Sequence, residues 1–123
     1  MAGPTIEFVG YVNEQRRREL FAGCRAFIFP GEEDFGITPL EAMAAGRPVI
    51  AYAAGGALDT LIEGTTGRFF AEQTVDALAE ALAAACTERY DAAAIRRHAE
   101  SFGAPVFNER MRALLRQWTP TTP

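Results

Sequence analysis

The chain has 123 residues, of which 49% are hydrophobic and 23% charged, and its formal net charge is −4. That length suits one domain with a modest core, and an acidic balance without a basic patch argues against nucleic acid as a partner. With no apolar run of about 18 residues and no signal peptide, no segment is expected to span a membrane; Cys24 and Cys86 lack metal-ligand spacing, which fits a reduced, cytoplasmic setting.

Apolar periodicity predicts strands alternating with helices. Residues 6–9 (Ile-Glu-Phe-Val) read as a short strand, and Asn13 can cap a helix whose Leu20, Phe21 and Cys24 face inward. On that helix Arg16, Arg17 and Arg18, beside Glu14 and Glu19, read as a solvated face, with Arg17 near a nucleobase as the alternative. Residues 26–29 form the next strand. Thr38 as N-cap and Pro39 at the first helical position start a helix that Gly46 ends. Residues 49–53 are a third strand, and Gly55-Gly56 turns it into a short helix containing Leu58, Leu61 and Ile62. Residues 68–70 are the fourth strand. Thr74 opens a helix with Val75, Leu78, Leu82 and Cys86 on one stripe, and Asp91 caps a helix over residues 92–101. His98 on that helix reads as a surface residue, because no Ser, Cys or carboxylate is spaced to use it. After Gly103 and Pro105, the positions Phe107, Met111, Leu114, Leu115 and Trp118 form a last helical stripe, and residues 119–123 a flexible tail. The pattern implies an α/β, Rossmann-like layered domain over residues 1–118, with a mostly parallel sheet of about four strands.

The most telling chemistry lies around Glu33 and Glu41. Glu33 falls on the loop at a strand's carboxyl end and Glu41 in the first helical turn, with Phe35, Gly36 and Ile37 bringing backbone N–H groups toward a helix N-terminus that favours an anion. One carboxylate can then reach a hydroxyl-rich ligand on each side of a bound phosphate. Two plainer explanations compete: Thr38 and Glu41 have capping-box spacing, and Glu33, beside Glu32 and Asp34, fits an ordinary solvated loop.

The string Glu33-Asp-Phe-Gly-Ile-Thr-Pro-Leu-Glu41-Ala-Met-Ala-Ala-Gly-Arg-Pro-Val-Ile50, followed by Gly55-Gly56 and Glu63-Gly-Thr-Thr-Gly-Arg68, closely resembles the carboxyl-terminal domain of family 4 retaining glycosyltransferases of the GT-B fold. The likeness extends from Ile6-Glu-Phe-Val-Gly10-Tyr to the Ala-rich helix after Gln73, an ordered series more specific than any lone glycine motif. It implies a transferase of hexosyltransferase type that moves a sugar from a nucleotide diphosphate sugar to an acceptor with retention. In that family Glu33 would be catalytic, meeting the donor sugar near its reacting carbon. Glu41 would bind the ribose hydroxyls, the segment Phe35, Gly36, Ile37 and Thr38 would hold sugar and diphosphate through backbone N–H groups, and Tyr11 and Val12 would line the nucleobase pocket. No metal and no cofactor is implied, the nucleotide sugar being the substrate.

The family's Arg and Lys that neutralise the diphosphate, and its amino-terminal domain, have no counterpart in this sequence, so the resemblance implies a partial domain that is inactive by itself. The partners it implies are the nucleotide-sugar donor, the amino-terminal domain and, for the parent enzyme, the membrane periphery. Residues 6–9 are expected to pair directly beside residues 26–29; the alternative is an open edge that recruits a second chain as a homodimer. Outside the resemblance, a non-enzymatic nucleotide-binding or interaction domain of α/β type shares the phosphate-binding helix start but gives Glu33 no task.

Overall fold

The computed structural model describes residues 4–32, 37–103 and Arg112. The last helical stripe, the tail, and Glu33, Phe35 and Gly36 lie outside the described residues.

Among the described residues the elements follow the order α1 (Glu14–Gly23), β1 (Phe27–Phe29), α2 (Ile37–Ala44), β2 (Val49–Tyr52), α3 (Ala57–Thr60), β3 (Gly67–Phe70), α4 (Val75–Thr87) and α5 (Ala92–Glu100). The strands form one parallel sheet in the order β1-β2-β3, with Phe27 opposite Val49 and Val49 opposite Gly67. Pairing continues one residue past β2, where the Ala53 N–H donates to the Phe70 carbonyl.

Apolar runs covered on both faces are what a parallel sheet requires. On one face Val49 and Ala51 pack with Phe21 of α1, Ala42 and Met43 of α2, and Ile95 and Ala99 of α5, with Phe27 and Phe29 against them. Beneath the opposite face, Ile50 and Phe70 meet Ala81 of α4, flanked by Ala77, Leu78, Leu82 and Ala85. The result is a helix, sheet, helix layering, a partial Rossmann-like layer.

Local signals explain most boundaries. The Asn13, Thr74 and Asp91 side chains accept from the backbone N–H groups of Arg16, Ala77 and Ala93, each supplying an acceptor to a helix start whose N–H donors lack one. Helix α2 ends in a Schellman turn: the Gly46 N–H donates to Met43 and the Arg47 N–H to Ala42, with Gly46 at φ +79°.

Four expectations need correction. Residues 6–9 form no strand; they carry no regular secondary structure and are exposed, with Phe8 84% exposed, and among the described residues β1 is an edge. The direct pairing with residues 26–29 therefore fails, and the sheet has three strands among the described residues. So short a segment, with no helix laid over it, buries too little apolar surface to offset the cost of ordering it. Second, α2 begins at Ile37, which puts Thr38 inside its first turn. Third, the α4 stripe holds only in part: Val75 is 84% exposed and Cys86 is exposed, while Ala81 is buried. Leu78 and Leu82 do pack against the core as expected, so only the two ends of the stripe, Val75 and Cys86, miss it, with Ala81 at its centre.

Fourth, His98 is half-buried rather than on the surface. Its Nε2 lies 2.6 Å from the Thr60 carbonyl, which can only accept, so Nε2 carries the proton. The ring also meets Phe102 edge-on at 5.3 Å. His98 is a tie between α5 and the end of α3.

Candidate functional site

Because all strands run parallel, the loops that leave them converge on one edge of the sheet, the customary ligand edge of open α/β folds. A cross-link shows that convergence: Gln73, after β3, donates its Nε2 to the carbonyl of Pro30, after β1, at 2.8 Å. The Gly55-Gly56 turn leaves β2 at the same edge, with Gly55 at φ +60°.

Helix α2 starts at this edge. Pro39 is buried in its first turn, where a missing N–H sacrifices no intrahelical bond. Glu41 follows one turn into the helix. Its carboxylate does not fold back on Thr38 as a capping box would have it. Instead Oε2 forms an ion pair with Nε of Arg17 on α1, 3.2 Å away, with the two side chains 34% and 48% exposed respectively. The neighbouring arginines pair within α1, Arg16 with Glu19 at 3.2 Å and Arg18 with Glu14 at 2.7 Å. Arg17 is thus the α1 arginine that crosses to α2.

Between the two helices lies an open groove of about 450 Å³, lined by Arg17, Phe21 and Glu41 with Ala44 and Ala45 along its floor. Tyr11 is 98% exposed and Val12 half-buried in the segment that enters α1, at the same helix end as Arg17. The structure thus brings Glu41 and Arg17 together, with Thr38 on the same helix start, and leaves Tyr11 projecting into solvent. Sequence reading missed the Arg17–Glu41 pair; the only available signal was that Arg17 is the middle member of a triplet whose outer members have local partners.

A larger hollow of about 700 Å³ runs along β3 and α4, lined by Glu63, Glu72, Asp76, Glu80 and Arg68. It shares no residue with the α1–α2 groove. Arg68 of that hollow pairs with Glu88 at 3.1 Å, and the Tyr90 hydroxyl donates to Glu88. Burial, then that hydrogen bond, pushes the Tyr90 phenol up to about 12. Burial likewise raises the Cys24 thiol, which donates to the Phe21 carbonyl at 3.1 Å at the end of α1. Among the described residues no three His, Cys, Asp or Glu side chains are grouped to hold a metal, and no helix is long and apolar enough to cross a membrane.

Comparison with known proteins fits this edge-opening α/β layer. The sucrose-phosphate synthase of Thermosynechococcus elongatus superposes with a TM-score of 0.80 at 31% identity, over 94% of this chain and 31% of that one. An alpha-1,3/1,6-mannosyltransferase of Rhizomucor pusillus is 30% identical over 99% of this chain and 28% of its own length. Its counterpart in Dictyostelium discoideum is 46% identical over 50% of this chain and 15% of its own length. The chain thus spans less than a third of the length of each of these proteins. The profile of the family "Glycosyl transferases group 1" matches residues 1–102, and the chain belongs to that family.

Proposed function

We propose that this chain is the donor-binding, carboxyl-terminal part of a retaining glycosyltransferase of GT-B fold that moves a hexosyl group from a nucleotide diphosphate sugar to an acceptor. The observation that carries the reading is Glu41: a half-exposed carboxylate near the start of α2, at the edge where the strand-end loops converge, bordering an open groove and held by a cross-helix arginine rather than spent on capping. Family membership and relatives named as mannosyltransferases support the transfer of a hexose.

In this reading Glu41 accepts hydrogen bonds from the ribose hydroxyls, and backbone N–H groups of Phe35, Gly36, Ile37 and Thr38 receive sugar and diphosphate. Tyr11 and Val12 border the base. Glu33 faces the reacting sugar: as the bond from the anomeric carbon to the diphosphate oxygen breaks, its charge offsets the positive charge developing on the ring. The acceptor oxygen then bonds to that carbon on the same face, and the acceptor proton leaves with the nucleoside diphosphate. The binding energy that matters to rate is the part realised only in the transition state, which assigns turnover to Glu33 and affinity to Glu41.

Steady-state kinetics on the enzyme that contains this chain separates the two. Glu33→Gln is expected to lower kcat by about 100-fold or more, as loss of a transition-state electrostatic contact does. Glu41→Ala is expected to raise the donor KM about tenfold, with kcat changed less than about threefold. A Glu33→Gln enzyme with near wild-type kcat would overturn the assignment.

A further inference from the structure

We propose that Arg17 is a positioning residue for nucleotide recognition: it holds the Glu41 carboxylate in the orientation that receives the ribose diol. The inference rests on the ribose reading of Glu41 given above.

The contact has the geometry of a brace. Arg17 reaches Glu41 through Nε, at a single oxygen, Oε2, at 3.2 Å. An ionised carboxylate offers about four acceptor sites, so an ion-pair contact at one oxygen leaves room for the two hydroxyls of a vicinal diol. Left alone on a helix surface, a glutamate side chain samples several rotamers, and binding a ligand then costs the freedom lost. Arg17 removes that cost beforehand because its own base is fixed. Its helix is capped at Asn13, and one turn further on Phe21 is buried against Phe27 at a ring distance of 5.3 Å. As an exposed pair it contributes little to folding. Its consequence therefore falls on the orientation of Glu41. The pairing of Arg16 and Arg18 within α1 leaves neither of them engaged with that carboxylate.

A cation beside a nucleotide could also act on the diphosphate directly, and the test separates the two. Uridine and guanosine diphosphates are titrated against the wild-type chain, Arg17→Met, Arg17→Lys and Glu41→Ala by NMR, and so are their 2′,3′-dideoxy forms; the readout is the ratio of dideoxy to ribo dissociation constants for the better-bound base. The wild type is expected to prefer the ribo form about tenfold or more, as hydrogen bonds to a charged acceptor do. Glu41→Ala brings the ratio to about 1, Arg17→Met lowers it about three- to tenfold, and Arg17→Lys, which keeps a charge but loses the planar donor, falls between.

A lower affinity for both forms at an unchanged ratio would mean that Arg17 acts on the diphosphate and would overturn the proposal. A higher ratio in Arg17→Met would show the arginine competing with ribose, and would overturn it too. If the wild type shows no ribo preference, or binds neither nucleotide, the ribose reading of Glu41 fails and the inference fails with it. Amide spectra of the Arg17→Met chain that match wild type away from the groove exclude unfolding as the cause.

Discussion

Gly67 sits where β3 meets β2, and replacing it with alanine tests the packing on which the whole edge depends. A Cβ there would stand 1.8 Å from the Val49 carbonyl oxygen, 2.7 Å from its carbon and 2.8 Å from its nitrogen. These are backbone atoms of a fully buried residue in the central strand, so no side-chain rotation relieves them. The two strands must part by more than about 1 Å, since contacts between a Cβ and a backbone oxygen inside about 3 Å are essentially repulsive. Separation strains the Val49 N–H to Thr66 carbonyl bond of 3.0 Å and the next bond of the β2–β3 ladder, where Ile50 stands opposite Arg68. At about 1 kcal/mol net for each bond, plus the packing lost around Val49, the expected cost is about 3 kcal/mol; a stiffer unfolded chain offsets at most about 1 kcal/mol of it. Urea denaturation followed by circular dichroism should show the midpoint falling by about 1–2 M at an unchanged slope. Gly31→Ala is the control, because nothing among the described residues lies within 4 Å of its Cβ position. A Gly67→Ala chain within about 0.5 kcal/mol of wild type would refute the packing argument.

Gly46→Ala should cost about 1–2 kcal/mol by the same assay, because φ is +79° and the new Cβ meets the Ala92 carbonyl oxygen at 3.2 Å and the flexible end of Arg96 at 2.6 Å. Tyr90 gives a pH signature. Its phenol is raised from 10.0 to about 12 in the folded chain, so the stability it contributes is fully present below pH 10.0 and is lost as pH climbs through about 12. The chain contains no lysine, which keeps that window clear of ammonium titration. Tyr90→Phe should therefore have a melting temperature that falls less steeply than wild type between about pH 10 and 12; parallel curves would count against the Tyr90–Glu88 bond.

Much of the fold was legible because its signals are local. Asn13, Thr74 and Asp91 are cap residues whose preference follows from one hydrogen bond each, and Gly46 marks the one place where α2 needs a positive φ. What was not legible depended on partners distant in the chain. Residues 6–9 have strand-like composition, but a strand needs a neighbour and a covering layer, which composition does not encode. Among the alanines of α4, size gave no hint that Ala81 rather than Val75 faces the sheet. His98 looked idle in sequence because its partner is a backbone carbonyl at Thr60, 38 residues away. For the site, the motif around Glu41 marked the right helix. The pairing with Arg17 depends on how α1 crosses α2, and nothing in the spacing of the two residues announces it.

The central claim, that the edge at the start of α2 receives the nucleotide of a sugar donor, is tested most directly by titrating the ¹⁵N-labelled chain with uridine and guanosine diphosphates. The account predicts saturable shifts for one of them with a dissociation constant on the order of 0.1–10 mM, strongest at the amides of Ile37, Thr38, Leu40 and Glu41 and at Tyr11 and Val12, and sharply reduced in Glu41→Ala. Shifts confined to α4 and α5, or no shift from either nucleotide through about 10 mM, would contradict it.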